Sequence, residues 1–297
     1  MTPPIAIDAA LRALDRGDDS TTYVEVLRLR AEATPDALAF AFLDESEKVS
    51  RSLTYAELDA RARAIAVELG RTLSPGDRAI LLYPPGIDFI EAFMGCLYAG
   101  VVAVPMAPPL PARLRTAGPR LAATLRRADP RVVLTCSSSR YVKGVEQLLE
   151  DGAKLRWLET DSITNLGAVR WRRPAGLRRD DVAFLQFTSG STASPKGVMV
   201  THGNLLANTT MMLEAFEVDS RDVFCHWLPL FHDMGLIGCT LAPLRAGSAV
   251  YFMAPADFLT RPIRWLRAMT RFGGTVAPAP NFSYDLCVRK TSEEERA

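Results

Sequence analysis

A run of short hydroxyl side chains, broken by glycines and ended by a lysine, has the residue types needed to hold a phosphate: FTSGSTASPKG, Phe187 to Gly197. Gly190 and Gly197 permit backbone angles that a side chain forbids, so several N–H groups can converge on one anion. Thr188, Ser189, Ser191, Thr192 and Ser194 add hydroxyl donors, and Lys196 adds a mobile positive charge suited to phosphate oxygens. The run is not the common G-x-x-x-x-G-K-[ST] loop, because Pro195, Lys196 and Gly197 stand where that pattern needs Gly and then Lys-Ser or Lys-Thr. Its flanks differ too. Asp181 to Phe187 reads as a buried strand and Gly197 to Thr201 as a second strand, so the expectation is a phosphate loop on a hairpin. Most Ser/Thr/Gly clusters are plain solvated turns; the ordered S-G-S-T-x-x-P-K-G run favours the phosphate site.

A second constellation, WLPLFHDMGL from Trp227 to Leu236, ends an apolar strand with a His-Asp pair just before a small-residue helix start. The carboxyl ends of strands are where α/β folds place ligands. His232 can donate a hydrogen bond to a carboxylate or phosphate oxygen, and Asp233 either orients it or caps the helix through Gly235. In the third, NFSYDL from Asn281 to Leu286, Asn281 reads as a helix cap, which leaves Phe282 and Tyr284 to choose between pocket and core. Trp227, Phe231, Met234 and Leu236 face the same choice, since an aromatic and Leu/Met stripe is as readily ordinary core as pocket wall.

Composition excludes several classes. In 297 residues, 35 basic side chains stand against 34 acidic ones, and a net charge of +1 supplies no field to gather nucleic acid or anionic lipid. The start, MTPPIAIDAALRALDRGDD, lacks the charged opening and apolar run of a secretory signal, and no stretch approaches the ~18 apolar residues of a membrane span. The expected compartment is the cytoplasm. Cys96, Cys136, Cys225, Cys239 and Cys287 lie far apart among apolar neighbours and read as reduced core residues. Cys225, His226, His232 and Cys239 match none of the short spacings that gather ligands around zinc.

The elements that must position these residues alternate between strand and helix. Residues 1–20 read as a loose arm, followed by a helix near Tyr23–Ala33 and a strand near Ala37–Leu43. Thr54-Tyr-Ala-Glu57 forms a capping box, after which Leu58, Ala62, Ile65, Ala66 and Leu69 share one helical face. Strands near Arg78–Tyr83, Val101–Pro105, Arg131–Cys136 and Leu155–Glu159 follow, with helices at Ile87–Ala99, Leu121–Ala128 and Tyr141–Glu150. Later come a helix over Asn204–Phe216 capped by Thr201, and strands near Val223–Trp227, Ala249–Phe252 and Thr275–Ala277. The alternation predicts an α/β protein with mostly parallel sheets flanked by helices. Two stretches look like joints: the proline-rich Val104–Pro119, and the arginine-rich Ser162–Asp181, whose charges read as solvated linker. The second sets expected units of 21–175 and 176–297, the latter carrying the phosphate loop.

These segments together resemble the adenylate-forming (acyl-activating) enzymes, a superfamily of acyl-CoA synthetases, luciferases, nonribosomal-peptide adenylation domains and fatty acyl-AMP ligases. PPGIDFIEAFMGCLYAGVVAVPMAPP (Pro84 to Pro109), WLPLFHDMGLIG (Trp227 to Gly238) and APAPNFSYDLCVRK (Ala277 to Lys290) look most like fatty acyl-AMP ligases, and the resemblance runs from about Tyr23 to Lys290. One departure is Ala193, where the family usually has glycine. The resemblance implies attack of a fatty acid carboxylate on the α-phosphorus of ATP, release of pyrophosphate, and transfer of the acyl group to the phosphopantetheine thiol of an acyl carrier protein in lipid or polyketide assembly. It implies that Lys196 and the loop donors, with Mg²⁺ and Thr192 near the metal, stabilise the charge on the leaving pyrophosphate. His232 would sit beside the acyl-adenylate, with Trp227, Phe231, Met234 and Leu236 along an acyl tunnel and Asn281, Phe282 and Tyr284 near the same pocket. Family members are about twice this long, so the chain reads as an N-terminal fragment that lacks the C-terminal lid and is inactive alone. Transfer to coenzyme A and a non-catalytic nucleotide-binding remnant are the alternatives.

Overall fold

The computed structural model describes residues 4–108, 114–138, 155–164, 170–188 and 195–296. Helix α1 (Pro4–Asp15) leads into α2 (Val24–Ala33), strands β1 (Leu38–Leu43) and β2 (Val49–Thr54), and helix α3 (Tyr55–Gly70). The capping box forms as expected: Thr54 Oγ1 accepts from Glu57 N at 3.2 Å, and the Glu57 carboxylate accepts from Thr54 N at 2.7 Å. Then come β3 (Arg78–Leu81), α4 (Ile87–Ala99), β4 (Val102–Pro105), α5 (Leu114–Ala128), β5 (Val132–Thr135) and β6 (Arg156–Glu159). The helix expected over 141–150 lies outside the described residues.

Strands β7 (Val182–Thr188) and β8 (Lys196–Thr201) are followed by α6 (His202–Ala215), β9 (Val223–His226) and a π-helix over Met234–Leu241. Helix α7 (Ala242–Ala246), strand β10 (Ala249–Met253) and helices α8 (Pro255–Thr260), α9 (Ile263–Phe272), α10 (Asn281–Lys290) and α11 (Glu293–Arg296) complete the chain. The strand expected at Thr275–Ala277 reduces to a single bridge between Val276 and Phe224. Gly273 has just turned the chain there in a left-handed conformation, and Thr275 N and Val276 N both donate to Val223 O while Cys225 N donates to Val276 O, a short edge contact rather than a full strand.

The strands build two sheets. One has the order β2-β1-β10-β9 and the other β6-β5-β3-β4-β7-β8, parallel throughout except for the β1–β2 and β7–β8 pairs. Helix α4 is apolar on every side because it is covered on every side, and each of its residues except Asp88 is buried. Its one interior carboxylate, Glu91, is paired by Arg51 and by Arg61 Nε at 3.1 Å, and burial holds its pKa above the ordinary glutamate value.

Neither sheet stays on one side of residue 176. β7 and β8 complete the sheet begun at β3, and β9 and β10 join β1 and β2 from the start of the chain. Nor is the N-terminal arm unanchored. Arg245, itself buried, donates to Leu11 O at 3.0 Å and pairs with the Asp15 carboxylate, while Arg179 donates to the Leu14 and Asp15 carbonyls. The Arg179 guanidinium thereby satisfies two of the last carbonyls of α1, which have no partner inside the helix, while Arg245 ties the helix to α7. Part of the arginine-rich joint is likewise bound rather than solvated. Arg173 pairs with Glu25, and Trp171 packs on Tyr98 with centroids 4.9 Å apart while donating to Tyr98 O.

Candidate functional site

The hairpin forms where the alternation of apolar residues placed it. β7 and β8 pair antiparallel in register, Gln186 opposite Val198, Phe187 opposite Gly197 and Thr188 opposite Lys196, so both ends of the phosphate run emerge side by side. A side chain on Gly197 would meet the Phe187 ring at 3.1 Å, and the missing Cβ lets that ring lie across the strand. Ser189, Gly190, Ser191, Thr192 and Ala193 lie outside the described residues, as does the side chain of Thr188. Lys196 is exposed and has no ion pair with a described residue, leaving its charge available at the mouth of the hairpin. Behind it, Thr201 caps α6, its Oγ1 accepting from Asn204 N at 3.1 Å.

The second constellation is a corner between β9 and the π-helix. His226 ends the strand, stacked on Phe252, and its Nδ1 accepts from Leu228 N at 3.2 Å. Burial pushes its pKa down to about 3. The chain then turns, His232 N donating to Pro229 O and Leu236 N to His232 O. Gly235 is required for a steric reason. A Cβ there would fall on the Pro229 carbonyl oxygen, far inside contact distance. The π-geometry shows in Thr240 Oγ1, which bonds Gly235 O five residues back at 2.9 Å, and such wide turns are frequent at functional sites.

At this corner His232 and Asp233 are exposed and Phe231 is half-buried, its ring 4.7 Å from the imidazole. Of the two roles open to Asp233, the carboxylate takes the cap, accepting from Met234 N at 2.8 Å. Gln186 of β7, which the sequence reading passed over, donates through Nε2 to Phe231 O at 3.0 Å. The available signal was a lone amide in the otherwise apolar strand VAFLQFT.

Trp227 and Leu236 are buried, the first stacked on Phe258 at 4.1 Å and 6° with Phe282 edge-on at 5.9 Å. Trp227 Nε1 is sealed from solvent without a hydrogen-bond partner among the described residues, an unusual state for an indole. Phe282 and Tyr284 are half-exposed, at 51% and 50%, and Met234 is 43% exposed, so none of the three is core in this chain. Tyr284 OH donates to Ala277 O, and its ring lies 5.8 Å from Trp265. Asn281 is not a cap. It is the first exposed residue of α10, whose cap position is Pro280 with no side-chain bond. The structure thus brings Gln186, Phe231 and His232 together, and separately Trp227, Phe258 and Phe282.

A family model described as AMP-binding enzyme matches residues 27–297, and the chain belongs to that family. It is 42% identical over 279 residues to the medium-chain-fatty-acid–[acyl-carrier-protein] ligase JamA of Moorena producens, covering 93% of this chain and 47% of that protein. It is 38% identical to the long-chain-fatty-acid–AMP ligase FadD32 of Mycolicibacterium smegmatis, over 90% of this chain and 43% of the relative. Among solved structures it superposes on the fatty acyl-adenylate ligase of L. pneumophila in complex with acyl adenylate and pyrophosphate, with a TM-score of 0.82, 37% identity, and coverage of 93% of this chain and 47% of that one. The chain therefore spans about half the length of the relatives it matches. The α/β architecture with mostly parallel sheets agrees with that of these neighbours. Among the described residues no helix is long and apolar enough to cross a membrane.

Proposed function

We propose that this chain handles the nucleotide and the acyl carboxylate in a ligase that activates a fatty acid with ATP, forming acyl-adenylate and pyrophosphate for delivery to an acyl carrier protein in the cytoplasm. The observation that carries the reading is the registered β7–β8 hairpin, which sets Lys196, exposed and without an ion pair to any described residue, at the end of the phosphate run. A lysine following a run of consecutive hydroxyl residues suits a polyanion. ATP, when bound, supplies the α-phosphorus that a carboxylate oxygen attacks as the bond to pyrophosphate breaks. Lys196, Thr188 and residues 189–192 and 197 are assigned to charge on the departing phosphates. His232, exposed beside the hairpin, is assigned a hydrogen bond to the carboxylate or adenylate oxygen. Trp227, Phe231, Asp233, Met234, Leu236, Asn281, Phe282 and Tyr284 are assigned to the acyl side.

No three His, Cys, Asp or Glu side chains gather at one point among the described residues. A carboxylate cage for Mg²⁺ does not fit those residues, and no step is drawn through the metal; Thr192 is the hydroxyl proposed beside it. The choice of a fatty acid and a carrier protein is supported by the names of the ligases that this chain resembles over nine-tenths of its length. Pyrophosphate exchange into ATP, measured with acetate, amino acids and fatty acids on the polypeptide carrying this chain, tests the reading. Exchange that depends on a medium or long fatty acid is expected, and exchange driven by an amino acid would overturn it.

A further inference from the structure

We infer that Gln186 is a positioning residue that locks the His232 corner onto the strand feeding the phosphate loop. The inference rests on the proposed function of that site. From Phe184 onward, past the irregularity between Val182 and Phe184, strand β7 alternates. Phe184 enters the main core between the sheets, Leu185 and Phe187 pack on the opposite face, and Gln186 therefore points the same way as Phe184. From there its Nε2 reaches Phe231 O, 45 residues away in sequence, at 3.0 Å. Phe231 is the residue directly before His232, and the remaining backbone bonds of that turn, His232 N to Pro229 O and Leu236 N to His232 O, stay within the corner. The Gln186 amide is what ties this turn to the phosphate-loop strand, two residues before Thr188.

The orientation of the amide follows from its partner. A carbonyl only accepts, so the NH₂ end must face Phe231 and the oxygen must point elsewhere. Oε1 is sealed from solvent with no hydrogen-bond partner among the described residues. Such an orphan acceptor is costly, and an apolar side chain of similar length would fill the space without that cost. Packing therefore does not account for an amide here, whereas the tether to Phe231 does. The strand that feeds the phosphate run and the His232 turn then keep a fixed separation, which is what positional catalysis requires.

The polypeptide carrying this chain serves for the test, and the three histidines of these 297 residues are the probes. The ring proton signals of His232, assigned by their loss in His232→Asn, are compared by NMR in wild type, Gln186→Met and Gln186→Glu. Methionine keeps the length without the donor; glutamate presents an oxygen to Phe231 O. Both variants are expected to shift or broaden the His232 signals while leaving those of His202 and His226 in place. The affinity for a fatty acyl sulfamoyl adenosine, a stable isostere of the acyl-adenylate, is expected to fall about three- to ten-fold, as for one lost hydrogen bond. Unchanged His232 signals in both variants would overturn the inference. So would equal movement of all three histidines, the mark of general loosening, or undiminished isostere binding despite displaced His232 signals. If wild type fails to bind the isostere, the functional reading falls, and the His232 signals alone then decide on Gln186.

Discussion

The β7–β8 hairpin and the β9–π-helix corner both present polar groups at the end of a strand, but they are held by different means. The hairpin stands on its own ladder of backbone bonds at the edge of the six-stranded sheet, with Val198, Met199 and Lys196 exposed. The corner stands on contacts from far along the chain: Gln186 on Phe231 O, Phe258 stacked on Trp227, and Phe252 on His226. A turn held by local bonds tolerates change at its surface. One held by close approach does not, since every atom that intrudes must displace backbone.

The largest contrast is expected from glycine to alanine changes. Gly235→Ala places a methyl group on the Pro229 carbonyl and should cost about 3 kcal/mol, the upper end of overpacking, read as a lower urea midpoint. Gly197→Ala meets only the Phe187 ring at 3.1 Å, a side chain able to give way, and should cost well under half as much. Equal losses would dissolve the distinction between the two turns.

Acid sharpens the comparison, because each region carries one buried histidine whose Nδ1 accepts a backbone N–H, His202 from Tyr23 and His226 from Leu228. Burial pushes their pKa values down to about 4 and about 3. Folded values below the unfolded one mean that the unfolded chain binds more protons as pH falls, so the contribution is complete above about pH 6.5 and is lost toward pH 4 and 3. His202→Gln should flatten the stability loss between pH 6.5 and 4 by on the order of 2–3 kcal/mol, measured as urea unfolding against pH. His226→Gln should extend the flattening to lower pH. A wild-type profile level over that range would contradict the burial of both rings.

Removing the hairpin's charge tests chemistry with little effect on fold. Lys196→Ala should lower kcat/KM for pyrophosphate exchange by on the order of 2 kcal/mol, about thirty-fold, while leaving the urea midpoint in place. Smallest is the cap. Thr201→Ala removes the acceptor for Asn204 N and should cost about 1 kcal/mol of stability, with exchange per folded molecule unchanged. A larger loss of exchange than of stability would mean that the start of α6 also sets the hairpin.

Local chemistry was legible from residue order. The capping box at Thr54, the cap at Thr201 and the strands on both sides of the phosphate run involve residues close in sequence, whose propensities and hydrogen bonds act over a few positions. Less legible were residues whose neighbours come from far along the chain. Asn281 had the type of a cap but begins its helix behind Pro280, and Thr275–Ala277 had strand composition but forms with β9 a single bridge and the few backbone bonds of Thr275 and Val276. The arginines at 173 and 179 looked like linker charge because their partners, Glu25 and the end of α1, lie some 150 residues earlier.

By itself the amino-acid sequence determined the alternation of strand and helix, the capping box at Thr54, the cap at Thr201 and the residue types of the phosphate run, all consequences of short-range sterics and hydrogen bonding. Only the tertiary structure decided that β9 and β10 return to the sheet begun by β1, that Gly235 lies against a carbonyl, and that Gln186 holds the turn before His232. The physical reason is the same in each case. Burial and close approach are properties of pairs of segments, and a single stretch of chain carries the shape of its own surface but not the surface it will meet.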